Sequence, residues 1–396
     1  MELRRKQIVS DEESRPQALD AIARVILEEG RYAEAAAAYH DLYRLVERVW
    51  PPAQLVSLLD KIQAIVPDDL WCAITRANVL ARAGELQPCR DLAESLLTGS
   101  QTGEAWTTAN LTLLFQAIQR SCGEHRRIVL LERLSDRVRG YAQQEPAGAA
   151  EILHARIRMA LEDYDDTTRI LANLRARGVQ HPMLDGMWDV CERRAGATFP
   201  AYDAPKVFCI GLSKTATTSL NAALGMLGLR SIHWQNPYTE TLISDSDLLL
   251  FDAFSDTTIA WRFEQLYTTF ANARFIYTSR ARQEWVHSVA AHYWRGYGVT
   301  SPQELQRPGL LQRFAGASER AEMNLYARHL TWENAYAEFD RRVRHFFSDK
   351  PAGKLLELDI CSGDGWDKLC GFLGTETPAT PFPCRNAGPR QSQISR

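Results

Sequence analysis

The chain has 396 residues, 45% of them apolar and 24% charged, with a formal net charge of −3. That length holds two or three domains with their own cores, and the composition is globular. The near-neutral balance argues against a dedicated nucleic-acid binder, and no run of ~18 apolar residues suggests a membrane span. The charged start Met-Glu-Leu-Arg-Arg-Lys-Gln has no apolar stretch behind it, so no secretory leader is expected. Eight scattered cysteines form no Cys-x-x-Cys pair, and nine histidines form no His-Glu-x-x-His motif. Reduced thiols, a cytoplasmic location and no metal site are expected.

Residues 1–195 are rich in Ala, Leu, Arg and Glu and lack β-type alternation, which predicts an all-helical domain. Within 21–39 a helix ends near Gly30, and small alanines let a second helix pack on it. A similar turn recurs at Gly84, and weaker ones at Cys122-Gly123 and near Asp163. These units resemble tetratricopeptide repeats. The intervals of 54, 39 and about 40 residues exceed the usual ~34, so the repeats are degenerate. The resemblance implies a helical-hairpin solenoid able to take a protein partner.

Two prolines break the pattern in 196–205, which reads as a linker. The domain 206–396 follows. Short apolar strands are predicted at Val207–Ile210, Asp247–Phe251, Arg274–Thr278 and Lys354–Leu358. Helices are predicted near 217–227, 260–271, 283–294 and 318–347. Alternating strands and helices imply an α/β fold, a three-layer parallel sheet whose ligands bind at the carboxyl ends of the strands.

The first strand runs into Gly-Leu-Ser-Lys-Thr-Ala-Thr-Thr-Ser, residues 211–219. A helix start leaves N–H groups unpaired and carries positive partial charge, so it attracts anions. Lys214 adds a full charge, and the hydroxyls of Thr215, Thr217, Thr218 and Ser219 add donors. Residues Ser213 to Ser219, Ala216 included, therefore form a phosphate or sulfate cradle. It is not the common nucleoside-triphosphate loop: Ser213 precedes the lysine and Phe208 lies six before it, where that motif has glycines.

This segment resembles the 5′-phosphosulfate loop of sulfotransferases, most closely the branch with Lys/Arg-Thr-Gly-Thr-Thr-Ser-Leu; Ala216 stands at the central glycine. Phe251-Asp-Ala-Phe-Ser-Asp256 is similar to that branch's acidic segment. Asn272 to Arg280 with Trp285 and Ser288 resembles its 3′-phosphate segment, and 365–374 with Pro381-Phe-Pro383 its ending. The resemblance covers about 205–388. It implies a P-loop-type sulfotransferase fold and transfer of a sulfuryl group from 3′-phosphoadenosine 5′-phosphosulfate (PAPS) to a hydroxyl of a carbohydrate, lipid or secondary metabolite. Arg280 and Ser288 would grip the 3′-phosphate. The family usually has Asp-Pro after this arginine, where this chain has Ala281-Arg282.

Lys214 is the candidate for steadying the leaving oxygen, with no metal required. His233 is the first candidate for the base, with Asp256 and Asp252 as alternatives; His287 and His292 rank lower. Trp285, Tyr293, Trp294 and Tyr297 read either as an acceptor pocket or adenine platform or as core. Two rival readings are an interaction protein with an inactive sulfotransferase-like domain, and a nucleotide kinase.

Overall fold

The computed structural model describes residues 16–47, 50–99, 106–143, 145, 147–196, 201–307, 310 and 317–385. They fall into two compact units, Met1–Gln180 and His181–Arg396.

Among the described residues the first unit has only helices: α1 (16–28), α2 (Tyr32–Val46), α3 (Pro52–Ile65), α4 (Leu70–Ala83), α5 (Leu86–Thr98), α6 (Thr108–Ser121), α7 (Glu124–Ala142), α8 (Ala149–Ala160) and α9 (Tyr164–Ala176). The four expected turns each join a helix pair. Gly30 and Gly84 take φ of +76° and +80°, a region glycine enters without a Cβ penalty. The first interval exceeds the others by about fourteen residues, the length of α3, an extra helix between two hairpins. Close packing follows from small side chains: Ala77, Ala81, Cys89 and Ala117 form one buried cluster. Asp69 starts α4 by accepting the Cys72 N–H at 2.9 Å, and its other oxygen lies 2.8 Å from His40 Nε2.

The second unit begins earlier than expected. Helix α10 (Leu184–Gly196), expected within the helical domain 1–195, belongs to this unit. Arg193 pairs with Asp252 at 2.7 Å and Asp189 pairs with Arg230, while Met187, Val190 and Cys191 are buried. Of the expected linker, residues 197–200 lie outside the described residues.

The sheet contains β1 (Val207–Cys209), β2 (Ser231–His233), β3 (Ala253–Ser255), β4 (Arg274–Thr278) and β5 (Leu355–Leu358). All pairs are parallel, in the order β2-β3-β1-β4-β5. The chain leaves β1 for one side of the sheet and later returns to the other, so the crevice at the carboxyl end of β1 is the topological switch point. Helices α11 (Thr217–Met226), α12 (Asp245–Leu250), α13 (Thr257–Ala260), α14 (Phe263–Thr269), α15 (Arg282–Tyr297), α16 (Ala317–Glu322), α17 (Trp332–Phe347) and α18 (Trp366–Leu373) complete the unit.

Alternation along the strands separates two cores. Val207, Cys209, Ala253 and Ile276 pack against Leu220 and Leu224 of α11 and Trp366 and Leu369 of α18. Phe208, Phe254 and Phe275 point the other way, into an aromatic layer. There Phe208 meets Phe254 at 5.4 Å between ring centres, and Phe275 meets Phe347 at 5.3 Å.

The predicted strand at Asp247–Phe251 is helix α12. Ser244 and Asp247 close a capping box, with Ser244 N–H donating to Asp247 Oδ2 at 2.8 Å and Asp247 N–H donating to Ser244 Oγ at 3.2 Å. The strand starts at Ala253 instead. The expected helix 260–271 is split into α13 and α14, and 318–347 is interrupted before Trp332.

Asp252 binds Arg193, and its other oxygen accepts the Arg230 backbone N–H at 3.0 Å. Burial pushes its carboxyl up, but these donors outweigh burial and hold it below the usual carboxylate value. Its stabilisation is thus present above the unfolded value of ~4 and is lost as pH falls through the depressed folded value. Asp252→Ala is expected to cost about 1–3 kcal/mol at neutral pH, with a flatter loss of stability in acid. Thermal denaturation from pH 7 to pH 3 reads both.

Candidate functional site

The loop between β1 and α11 owes its shape to four hydrogen bonds and one close approach. Thr215 Oγ1 lies 2.6 Å from the Leu212 carbonyl oxygen and 2.6 Å from Thr278 Oγ1 at the end of β4. A Cβ on Gly211 would stand 1.7 Å from Thr278 Oγ1, so only glycine lets β4 come this near. Ser213 is held from two sides. Its carbonyl accepts the Trp285 indole N–H at 2.8 Å, and its own N–H donates to Tyr326 Oη at 3.2 Å.

Lys214 and Ala216 both take left-handed backbone, φ +69° and +67°. This explains why a glycine suits position 216 in the family pattern: alanine there carries a Cβ penalty of about 1 kcal/mol. No side chain caps α11, so its leading N–H groups are turned to the cleft for an anion. The buried Thr215 hydroxyl bonds within the loop and to Thr278.

A cleft of about 570 Å³ opens over this loop. Ser213, Lys214, Ala216, Thr217, Thr218 and Ser219 line it from the loop and α11, Ser288 from α15, and Arg280 from the segment after β4. Arg280 Nη1 donates to the Lys214 carbonyl at 3.3 Å, which links the two expected anion sites. The segment near 385 closes one side: the Arg385 N–H donates to Ser219 Oγ at 2.9 Å. Burial pulls the Lys214 ammonium below its usual value, and Arg295 and Arg280 add to this while Asp256 opposes it. Crowded cations in a cleft are relieved by a bound anion.

His233 ends β2 and lines the same cleft. Its Nε2 is 3.0 Å from Asp256 Oδ2 and 3.3 Å from Thr218 Oγ1, and its Nδ1 is 2.9 Å from Ser255 Oγ. Asp256 stands at φ +87°, with its Oδ1 accepting the Thr257 N–H at 2.6 Å. Such backbone is costly and is held here by neighbours on both sides of the residue.

Two of the three base candidates thus sit together. Asp252 does not join them: it lies at the amino-terminal end of β3, bound to Arg193 and Arg230. A cavity of about 630 Å³ opens at that edge beside Lys206. Its lining cations donate to backbone carbonyls, Lys206 Nζ to Phe251 at 2.5 Å, Lys354 Nζ to Ala271 at 2.6 Å and Arg274 Nη1 to Phe372 at 2.7 Å.

Of the aromatic group, Trp285 is buried, Trp294 is exposed, and Tyr297 and the buried Tyr293 both line the cleft. Trp285 serves the loop through Ser213. His292 lines the cleft and His287 does not. Sequence reasoning missed Thr278, Arg295, Glu322 and Tyr326. Thr278 alone left a local signal, a small hydroxyl residue at a strand end two before Arg280. The others depend on how α15 and the helix after α16 pack.

Gly211→Ala is expected to destabilise the second unit by about 2 kcal/mol or more and to abolish ligand binding in the cleft. Ala216→Gly is expected to be neutral or stabilising by up to about 1 kcal/mol. Denaturant melts of both variants check the contrast.

Residues 206–390 match the family model described as the sulfotransferase domain. Ava biosynthesis cluster protein M of Aspergillus versicolor is 23% identical over 214 residues, 45% of this chain and 79% of that protein. No described helix is long and apolar enough to cross a membrane. With the parallel sheet and the anion loop at its switch point, the match identifies the second unit as a sulfotransferase domain.

Proposed function

We propose that the cleft binds PAPS and transfers its sulfuryl group to an alcohol acceptor in the cytoplasm. The observation that carries this reading is the pairing of two cationic anion sites, Lys214 with the α11 N-terminus and Arg280 with Ser288, in one cleft that also holds the His233–Asp256 pair. A donor with phosphate groups at both ends needs two such sites. An ordinary triphosphate loop needs one, with a glycine before its lysine.

In this mechanism the 5′-phosphosulfate lies on the N–H groups of α11 and the 3′-phosphate on Arg280 and Ser288. The acceptor oxygen attacks sulfur in line while the sulfur–oxygen bond to the 5′-phosphate breaks. The acceptor proton passes to the His233–Asp256 pair. Ser255 at Nδ1 fixes the ring, and the Asp256 carboxylate stabilises the imidazolium that forms. Lys214 takes the charge that builds on the leaving phosphate oxygen. No step calls on a metal ion.

Lys214→Ala is expected to lower kcat by 10²-fold or more with the fold intact. His233→Ala and Asp256→Asn are expected to lower kcat by 10²–10⁴-fold while 3′,5′-adenosine bisphosphate still binds. Calorimetry with the bisphosphate and with ATP, beside a radiolabelled PAPS transfer assay, tests the reading. Full turnover by Lys214→Ala would overturn the mechanism. Tighter binding of ATP would favour a kinase, and no bisphosphate binding an inactive scaffold.

A further inference from the structure

Glu322 ends α16 and is only 5% exposed, yet it lines the cleft with Lys214, His233 and Asp256. One carboxyl oxygen, Oε2, accepts the Tyr293 hydroxyl at 2.5 Å. No group among the described residues hydrogen-bonds the other, Oε1. That oxygen is open to the cleft, where water or a ligand group can bond to it. The helix then changes form: Met323–Ala327 is a π-helical turn, an insertion that often marks a functional site. That turn carries Tyr326, whose hydroxyl meets Ser213 of the anion loop at 3.0 Å.

We propose that Glu322 binds the acceptor, hydrogen-bonding a second hydroxyl beside the one that receives the sulfuryl group, so that the natural acceptor is a diol or polyol. This rests on the sulfotransferase reading of the cleft. The attacking hydroxyl already has a proton taker in His233–Asp256, so Glu322 is left for another oxygen. A hydroxyl both donates and accepts, and it can satisfy a carboxyl oxygen in either protonation state.

The charge of the site fits this role. The groups facing Glu322 are Tyr293 from α15, Tyr326 from the π-helical turn and Asp256 beyond β3. Burial pushes the Glu322 carboxyl up to about 8; the Tyr293 hydrogen bond opposes this and the Asp256 charge adds to it. Near neutrality the group is therefore an uncharged acid. It can stand in a cleft built for a polyanionic donor without repelling it, and its O–H is free to donate.

The test uses the full chain loaded with 3′,5′-adenosine bisphosphate and two probes of one shape, catechol and phenol, titrated by calorimetry. Wild type is expected to bind catechol at least fivefold more tightly than phenol at pH 7, the worth of about one hydrogen bond. Glu322→Ala is expected to bring the ratio to one with bisphosphate affinity unchanged within twofold. Glu322→Gln, which keeps an uncharged donor and acceptor, is expected to retain most of the preference. Between pH 7 and pH 8, where both probes stay largely neutral, the wild-type preference shifts as Glu322 ionises, and that of Glu322→Gln does not. Equal affinities in wild type, no binding of either probe, or a preference that survives Glu322→Ala would overturn the proposal. A failure of wild type to bind the bisphosphate would instead sink the sulfotransferase reading beneath it.

Discussion

The site depends on how near β4 can come to the loop after β1. Thr278 brings its hydroxyl to within hydrogen-bonding distance of Thr215, into space that any side chain at position 211 would occupy. That contact turns Thr215 inward and leaves Lys214 and Ala216 to take left-handed backbone on either side of it. The N-terminus of α11 is thereby presented to the cleft uncapped. One missing Cβ thus sets the direction of the charge, the N–H groups and the anion they receive.

Around this loop the protein places rigid supports. Trp285 and Tyr326 come from different helices and both bond to Ser213, so the loop is fixed by side chains with few rotamers. Aromatic rings fill the sheet face carrying Phe208, Phe254 and Phe275, whereas smaller side chains mostly fill the other. In the proposed transfer, a cradle preorganised in this way needs no rearrangement as charge builds on the leaving phosphate.

Much of this was legible in the chain because it is local. The anion loop, β4, β5, α11 and the turns at Gly30 and Gly84 follow from short-range patterns of apolar residues, hydroxyls and glycines. His233 could be nominated because it stands where a short strand should end, and Asp256 and Asp252 because their stretch is similar to the family's acidic segment. Asp252 nevertheless lies at the other end of β3, a matter of where the strand starts. That start was misplaced because Leu248-Leu249-Leu250-Phe251 looks like a buried strand, while the capping box at Ser244 and Asp247 makes it a helix. Asp189 and Arg193 gave no sign that α10 had left the repeats, since their partners Arg230 and Asp252 are some 40 to 60 residues away. Glu322 and Tyr326 were invisible for the same reason: nothing nearby in sequence distinguishes a buried cleft glutamate from a solvated one.

The π-helical turn after α16 has one further implication. Tyr326 on that turn bonds to Ser213 of the anion loop, and Glu322 just before it accepts from Tyr293 of α15. Two ligands that both order one shared turn are energetically coupled. Whatever free energy the first contributes by fixing that turn is spared to the second, and the coupling is the same in both directions. The helix would then act as a thermodynamic hinge between donor and acceptor, and order of addition would be a property of its five-residue irregularity.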